Sequence, residues 1–273
     1  MRIVSWNLHG AAVPGRATNE QQHRAWRYMR EDLRADLILA QEVSADGIPD
    51  DVRAEWSVVA GVKGRYRKDW NWGSVIAADP ALGLRECSGA YDDVWLQQLY
   101  DLVVVGEIRI LGSSTLSVAS VHTAAMPAED WLSQYVKTLT LTDLELASIR
   151  RPDCIERPYI NDFAFHALER LFRGGRFFIA GDWNTCRKYP GGPNFFDRAE
   201  ASAWMQCLDE PEEPTYFTRS GNAYQLDHAF CDPTTARSLT SAAAVANDLT
   251  KSLSDHVPIV IEVATSSPNH PKS

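Results

Sequence analysis

The sequence lacks the long apolar runs that membrane proteins need. The longest ones, such as Leu102 to Val105 and Phe177 to Ala180, are much shorter than the roughly 20 residues that span a bilayer. The N-terminal segment also lacks the apolar stretch and the small-residue cleavage site of a signal peptide. We therefore expect a cytoplasmic protein that makes no contact with a membrane.

Cysteine is scarce, and its spacing fits no cross-link or metal pattern. The five cysteines are odd in number and widely spaced, and no two of them form a CxxC pair. This spacing argues against both a disulfide framework and a thiolate zinc site. Reduced thiols, mostly in the core, are expected at Cys87, Cys154, Cys186, Cys207 and Cys231.

Positive charge is in deficit, with 27 Lys and Arg against 36 Asp and Glu, for a net charge of -9. Proteins that coat nucleic acid through bulk charge need the opposite balance, because many phosphates must be neutralised. A catalytic cleft that needs only a few local cations stays compatible with the sequence. There is no phosphate-binding P-loop, no GxGxxG, no GxSxG and no HExxH motif.

The length of 273 residues and the 45% hydrophobic content predict a single domain. We assign residues 1–264 to it and residues 265–273 to a loose C-terminal tail. Strands are predicted at Arg2–Leu8, Leu37–Gln41, Trp56–Ala60, Gly73–Ala77, Leu102–Ile110, Thr115–Val121, Phe177–Ala180, Ala229–Cys231 and Ile259–Val263, and helices at Glu20–Arg34, Glu129–Ile149, Asn161–Phe172 and Arg198–Cys207. Many strands follow one another directly, so a two-sheet sandwich with outer helices is favoured over an alternating parallel sheet.

Polar side chains recur where apolar strands end. A single one of them is most often a turn former, but the repetition, together with Asp255 and His256 near the C-terminus, indicates a site. The residues at the strand ends are Asn7, Glu42, His122, Asp182 and Asn184. Carboxylates with Asn and His, and no thiolate cluster, favour a hard cation, Mg²⁺ or Mn²⁺, over zinc.

Seven short blocks, taken in order, resemble the signature of the endonuclease/exonuclease/phosphatase family. They run from the first strand to the last, so the resemblance covers nearly the whole chain. The blocks are Trp6-Asn7, Gln41-Glu42, Gly73-Ser74-Val75-Ile76, Val121-His122, Gly181-Asp182-Trp183-Asn184, Leu226-Asp227-His228 and Ser254-Asp255-His256-Val257-Pro258. A lone Gln-Glu pair carries no information, whereas the ordered set is specific.

The resemblance implies a fold and a reaction. The fold is a four-layer αββα sandwich of two mixed β-sheets flanked by helices, and the reaction is a Mg²⁺- or Mn²⁺-dependent hydrolysis of a phosphoric ester. Carried over residue by residue, Asn7, Glu42 and Asp255 belong to the metal region, with Glu42 the direct ligand. Asp182 activates water, Asn184 positions water and phosphate, His256 held by Asp227 contacts the phosphate, and His122 lies near the leaving group. Gln225 and His228 replace a basic and an aromatic residue of many members, which leaves the substrate more open than the chemistry.

Cations alternate with aromatic residues between Lys63 and Trp72, as in a groove for phosphates and stacked bases. Substrate contacts are predicted at Arg65, Arg67, Lys68 and Arg187. A nuclease acting on DNA, or on RNA, is the leading interpretation, and no obligate protein partner is inferred. The alternatives are a phosphatase or phosphodiesterase acting on a small or lipid phosphate ester, and a non-catalytic scaffold that kept the fold for binding.

Overall fold

The computed structural model describes residues 1–9, 17–61, 72–87, 89–110, 114–124, 127, 130, 159–189, 191–208 and 213–264. The strands are β1 (Arg2–Asn7), β2 (Leu37–Ser44), β3 (Ser57–Ala60), β4 (Trp72–Ala78), β5 (Arg85–Glu86), β6 (Val103–Ile110), β7 (Ser114–His122), β8 (Phe177–Asp182), β9 (Met205–Gln206), β10 (Tyr216–Phe217), β11 (Ala223–Tyr224), β12 (Asp227–Cys231), β13 (Leu239–Ala244) and β14 (Ile259–Val263). The helices are α1 (Asn19–Arg27), which continues as a π-helical turn over Tyr28–Asp32, α2 (Asp50–Glu55), α3 (Val94–Gln98), α4 (Ile160–Phe172), α5 (Gly192–Ala201), α6 (Pro233–Ala236) and α7 (Asp248–Leu253), with 3₁₀ turns at Pro80–Leu82 and Ala90–Asp92.

Two six-stranded mixed sheets form the centre of the molecule. Sheet A has the order β13-β14-β1-β2-β4-β3, and sheet B has the order β5-β6-β7-β8-β12-β9. Each sheet contains one parallel pair near its middle, β1 with β2 and β7 with β8, and the other pairs are antiparallel. β14 pairs with β1 and β12 pairs with β8, and each of them runs antiparallel to its partner. Their N-terminal ends therefore meet the C-terminal ends of the parallel strands at one edge.

Three apolar cores separate four layers. The central core packs sheet A residues such as Leu39 and Ile261 against sheet B residues such as Val118 and Phe178. On the outside of sheet A, Trp26 and other residues of α1 pack on one apolar face, while α4 and α5 cover the outside of sheet B. The burial follows from the sequence, because β1, β2 and β8 are apolar on both faces. The predicted αββα sandwich of two mixed sheets is confirmed.

All nine predicted strands are present, most of them with shifted ends, and one helix prediction is wrong. Helix α5 runs from Gly192 to Ala201, whereas we expected Arg198–Cys207. Gly191, at φ 76°, and the proline that follows start the helix earlier, and Ala203, at φ 57°, ends it, so Cys207 lies beyond the edge strand β9. The short strands β5, β9, β10 and β11 and the edge strand β13 were not predicted.

Some expectations fall on residues that the structure does not describe. They include the helix predicted at Glu129–Ile149, apart from Asp130, the thiol predicted at Cys154 and the tail 265–273. The four cysteines within the described residues are buried and form no disulfide with one another. Among those residues, no helix has the length and apolar character that crossing a bilayer requires.

Asp232 holds together the edge of sheet B that lies opposite the polar strand ends. Its carboxylate accepts hydrogen bonds from the backbone N–H groups of Phe177 (2.9 Å), Thr234 (2.8 Å) and Thr235 (3.1 Å), and from the Thr235 hydroxyl. Burial raises the pKa of Asp232, but the hydrogen bonds from Thr235 and Phe177 outweigh burial and place it below its ordinary value. The charged form therefore stabilises the fold by capping α6 and anchoring the start of β8.

We expect Asp232→Ala to lower the free energy of unfolding by about 2 kcal/mol, since a helix cap and charge-assisted hydrogen bonds are lost. The difference should be full at neutral pH and should vanish as pH falls through the folded-state pKa, which lies below the ordinary 3.8. Urea denaturation at several pH values measures it. Asp248→Ala, in the exposed first turn of α7, is the matched control. If Asp232→Ala and Asp248→Ala lowered the free energy of unfolding equally, the stabilising role of Asp232 would be contradicted.

Candidate active site

Asp182 lies at the C-terminal end of β8, where the backbones of β7 and β8 approach each other closely. A Cβ atom on Gly181 would lie 1.8 Å from the carbonyl oxygen of Val121, so only glycine allows β7 and β8 to pair here. Asp182 follows as the last residue of β8, opposite His122 in the register. Beyond it, Asn184 adopts φ 48°, which turns its side chain back toward Asp182.

The Asp182 carboxylate is 1% exposed and is held by three hydrogen bonds. They come from the side chain of Asn7 (2.9 Å), the backbone N–H of Asn184 (2.9 Å) and the side chain of Asn184 (3.0 Å). Burial raises the pKa of Asp182 to about 7; the neighbouring Asp227 and Glu42 carboxylates also raise it, while the charge of His256 opposes the rise. A carboxylate with a pKa near neutrality can accept a proton at physiological pH.

Glu42 reaches the same cluster from sheet A through a β-bulge. The register between β2 and β4 shifts between Ala40 and Val43, and Glu42 in this bulge has φ 50°. Its carboxylate lies 3.4 Å from the side-chain nitrogen of Asn7 and 3.4 Å from Nε2 of His122. The bulge therefore turns Glu42 toward the edge of the sheet, as bulges near active sites commonly do.

His256 and Asp227 form a buried pair that faces Asp182. Nδ1 of His256 lies 2.7 Å from the Asp227 carboxylate, and Nε2 lies 3.8 Å from the Asp182 carboxylate. The indole of Trp6 donates to the His256 carbonyl at 3.0 Å, which fixes the backbone. Burial lowers the pKa of His256, but the carboxylates of Asp227 and Asp182 outweigh burial and raise it to about 10. The imidazole is therefore a fixed cation at neutral pH, oriented by Asp227.

The structure brings together seven of the sequence-predicted residues and sets others apart. The seven are Asn7, Glu42, His122, Asp182, Asn184, Asp227 and His256. Asn7 donates to the two carboxylates through Nδ2, while its oxygen accepts the backbone N–H of His9 at 2.9 Å. Through Nδ2 it orients the two carboxylates in this arrangement.

Asp255 and Arg187 lie outside the cluster of residues around Asp182. Asp255 lies 2.8 Å from Nδ1 of His9 and is not part of the carboxylate groups around Asp182 in the described chain. The guanidinium of Arg187 lies 4.7 Å from the centre of the Phe196 ring, so it packs on the side of α5. The predicted substrate contacts Arg65, Arg67 and Lys68 lie outside the described residues.

Sequence reasoning missed two residues that build the site. The backbone N–H of Thr123 donates to the Asp182 carbonyl at 2.9 Å, and the Thr123 carbonyl accepts from the Asn184 side chain. The hydroxyl of Thr215 accepts the backbone N–H groups of Leu226 (3.1 Å) and Asp227 (3.0 Å). Thr123 could have been suspected as the residue that follows His122, whereas nothing in the spacing marks Thr215.

The donor set fits a hard divalent cation. Ligand atoms of Glu42, His122 and Asp182 lie within 4.8 Å of one another, and all three residues are buried. Two buried carboxylates this close repel each other, and a cation between them would relieve the repulsion. Oxygen donors with one imidazole suit Mg²⁺ or Mn²⁺.

Solved structures of other proteins share the fold of this chain. The endonuclease domain of TRAS1, a telomere-specific non-LTR retrotransposon, superimposes with a TM-score of 0.63 and 18% identity over 97% of this chain and 98% of that chain. The AP endonuclease LMAP from Leishmania major superimposes with a TM-score of 0.63 and 14% identity over 95% of this chain and 86% of that chain. An endonuclease/exonuclease/phosphatase family protein from Leptotrichia buccalis superimposes with a TM-score of 0.59 and 13% identity over 96% of this chain and 99% of that chain. No family model and no curated protein matches the sequence. The chain therefore has the fold that the sequence resemblance predicted.

We expect His256 to keep its ring proton well above neutral pH in metal-free protein, because two carboxylates stabilise the charged form. Asp227→Asn should lower the pKa of His256 by about 1 pH unit or more, since the partner charge is lost. Titration of the imidazole resonances by NMR in EDTA measures both values. Asp248→Asn, on the exposed side of α7, controls for a general change of net charge. A His256 that titrates at its ordinary pKa in the unsubstituted protein would contradict the charge assignment.

Proposed function

We propose that this chain is a metal-dependent phosphodiesterase that hydrolyses the backbone of nucleic acids, DNA in the first place and RNA as the alternative. The observation that carries the proposal is the arrangement around Asp182. A buried carboxylate with raised pKa faces a carboxylate-paired imidazolium at 3.8 Å, with a second buried carboxylate, Glu42, beside it. Hydrolysis of a phosphodiester needs a base that deprotonates water, a positive charge beside the phosphate and a carboxylate that binds the metal ion.

Asp182 is the group that accepts the proton of the attacking water. Burial brings its pKa to about 7, and Asn7 and Asn184 donate hydrogen bonds to both of its oxygens. A base whose oxygens are held by donors cannot turn away from the water, so its lone pairs keep one direction. Asn184 also turns its amide toward this position and can orient the water or a phosphate oxygen.

His256 provides positive charge where the phosphate gains negative charge. Its Nδ1 is taken by Asp227, so the free Nε2–H points to the side where Asp182 lies. A fixed imidazolium in a buried site stabilises charge more strongly than it would in water. His122, which contacts both Glu42 and Asp182, is placed to assist the leaving oxygen.

Glu42 would be the direct ligand of the divalent cation, bound beside Asp182 and His122. Mg²⁺ or Mn²⁺ bound there supplies Lewis-acid polarisation of the phosphoryl oxygen. The nucleic-acid substrate is supported by the similar structures, which are described as an endonuclease domain of a retrotransposon and an AP endonuclease. The cytoplasmic location and the boundary of the domain at residue 264 stay predictions from the sequence.

We expect hydrolysis of a plasmid or oligonucleotide to require Mg²⁺ or Mn²⁺, to stop with EDTA and to return when the metal is restored. Glu42→Gln should lower the affinity for Mn²⁺ by about 10-fold or more, because it removes the charge of a direct ligand. Isothermal titration calorimetry measures the affinity, and Glu20→Gln, an exposed residue of the first turn of α1, is the control. Full turnover in EDTA would contradict metal dependence.

We expect Asp182→Asn and His256→Ala each to lower kcat by about 100-fold or more, the usual scale for a positioned base or charge stabiliser. Substrate affinity should change far less. The double variant should lose less than the product of the single losses, because both residues serve one transition state. Single-turnover kinetics on a labelled oligonucleotide measures the rates.

Asp197→Asn is the matched control for the removal of a carboxylate, since Asp197 lies on the exposed side of α5. Circular dichroism and thermal unfolding establish that the variants fold. A folded Asp182→Asn with near-normal kcat would remove Asp182 from the mechanism and contradict the proposal.

A further inference from the structure

A second cleft opens directly beside the candidate active site. It has a volume of about 320 Å³ and lies between the turn that joins β10 to β11, the end of α7 and the start of α1. Its lining includes His9 and Asp255. His9 is two positions after Asn7 and Asp255 directly precedes His256, so the cleft and the site share a wall.

The walls of this cleft are tied to His256 by backbone hydrogen bonds. The N–H of Phe217 donates to the Asp255 carbonyl at 2.9 Å, and Tyr216 forms a β-bridge with His256. On the other side, the Gln21 side chain donates to the Ser252 carbonyl at 3.3 Å, which joins α1 to α7. A group bound in the cleft would therefore be held at a defined position relative to His256.

The cleft carries positive charge in a chain whose net charge is -9. Lys251 Nζ lies 4.4 Å from the centre of the Phe217 ring, and Arg219 projects from the turn between β10 and β11. Neither cation forms an ion pair with a carboxylate in the described part of the chain. Among the lining residues that the structure describes, Asp255 is the single carboxylate, and it already contacts His9. Two cations that pair with no described carboxylate thus face this cleft.

We propose that this cleft is a second phosphate site, which binds a phosphate group of the substrate other than the one that is cleaved. Lys251 and Arg219 are the charged ligands, and the Phe217 ring lies against the Lys251 ammonium. The proposal rests on the proposed function, because it takes the substrate to be a phosphate ester. The bound group is either the neighbouring phosphate of a nucleic-acid strand or a second phosphate of a small polyphosphate. Both cations are exposed, so a strand can pass along them.

Two substrates separate this site from the catalytic one. A single-stranded oligonucleotide carries neighbouring phosphates, whereas bis(4-nitrophenyl) phosphate carries only the phosphate that is cleaved. Lys251→Met keeps an unbranched apolar side chain and removes the charge, and Arg219→Gln removes the guanidinium. Each should lower the ratio of kcat/KM for the oligonucleotide to kcat/KM for the single-phosphate ester by about 5-fold, through KM. Arg237→Gln, an exposed arginine just after α6 at the opposite end of sheet B, should leave this ratio unchanged.

Binding without turnover gives an independent measurement. In EDTA, fluorescence anisotropy of a labelled oligonucleotide at several salt concentrations yields the slope of log K against log salt. Each of the two variants should reduce this slope by about 0.7, the value for one phosphate contact on a single strand. Arg237→Gln should keep the slope. Inositol 1,4,5-trisphosphate, tested as a substrate and as a competitor, stands for the small polyphosphates.

The outcomes distinguish the two proposals. The second phosphate site is overturned if Lys251→Met and Arg219→Gln both leave the kcat/KM ratio and the salt slope unchanged. It is also overturned if the protein binds neither the oligonucleotide nor the trisphosphate. Either result leaves the proposed function standing. Failure of the unsubstituted protein to hydrolyse either ester with Mg²⁺ or Mn²⁺ overturns the proposed function, and the anisotropy slopes still decide the phosphate site. Hydrolysis of the trisphosphate with the same dependence on Lys251, and none of the oligonucleotide, supports the site and identifies a small polyphosphate as its ligand.

Discussion

The Asp182 carboxylate is the group on which the organisation of this edge of the sandwich depends. A carboxylate that is 1% exposed is costly to bury unless hydrogen bonds and opposite charge compensate it. The compensation comes from Asn7, 175 positions away in the chain, from Asn184 and from His256. Since these residues belong to both sheets, the sheets must close here before the carboxylate is satisfied. Behind the site, the Gln41 side chain donates to the Ser120 hydroxyl at 3.0 Å and links the two sheets again.

Backbone strain is concentrated at the same edge. Among the described residues, five that are not glycine have positive φ, and three of them, His9 (51°), Glu42 (50°) and Asn184 (48°), lie in or beside the site. Each such conformation costs about 1–3 kcal/mol and persists only where its surroundings fix it. Glu42 is fixed by the bulge in β2 and by the Gln22 side chain, which donates to its carbonyl at 2.9 Å. In regular strands these side chains would point to the two faces of a sheet. The strained conformations turn them toward the site instead.

The sequence predicted the sheets and the members of the site better than it predicted their partners. Apolar runs that end in Asn7 or Asp182 identify strands and their functional edge, because burial and strand direction are local properties of the chain. The direction of the Asn7 amide and the contact of Asp255 with His9 depend on residues more than a hundred positions apart. No local pattern contains that information. The helix expected at Arg198–Cys207 failed for a related reason, since the conformation of Ala203 and the pairing of β9 with β12 override helical spacing.

The division of charge between Asp182 and His256 also follows from burial and partners. A histidine that lies 2.7 Å from a buried carboxylate keeps its proton, so the pKa of about 10 makes it unsuitable as a base near neutrality. The Asp182 carboxylate has the opposite property, because burial and two neighbouring carboxylates bring its pKa to about 7. In the mechanism that we propose, two groups 3.8 Å apart thus receive different roles from their surroundings, one as a proton acceptor and one as a fixed cation. Asp227 is the residue that creates this difference, since it stabilises the charge on His256 and raises the pKa of Asp182.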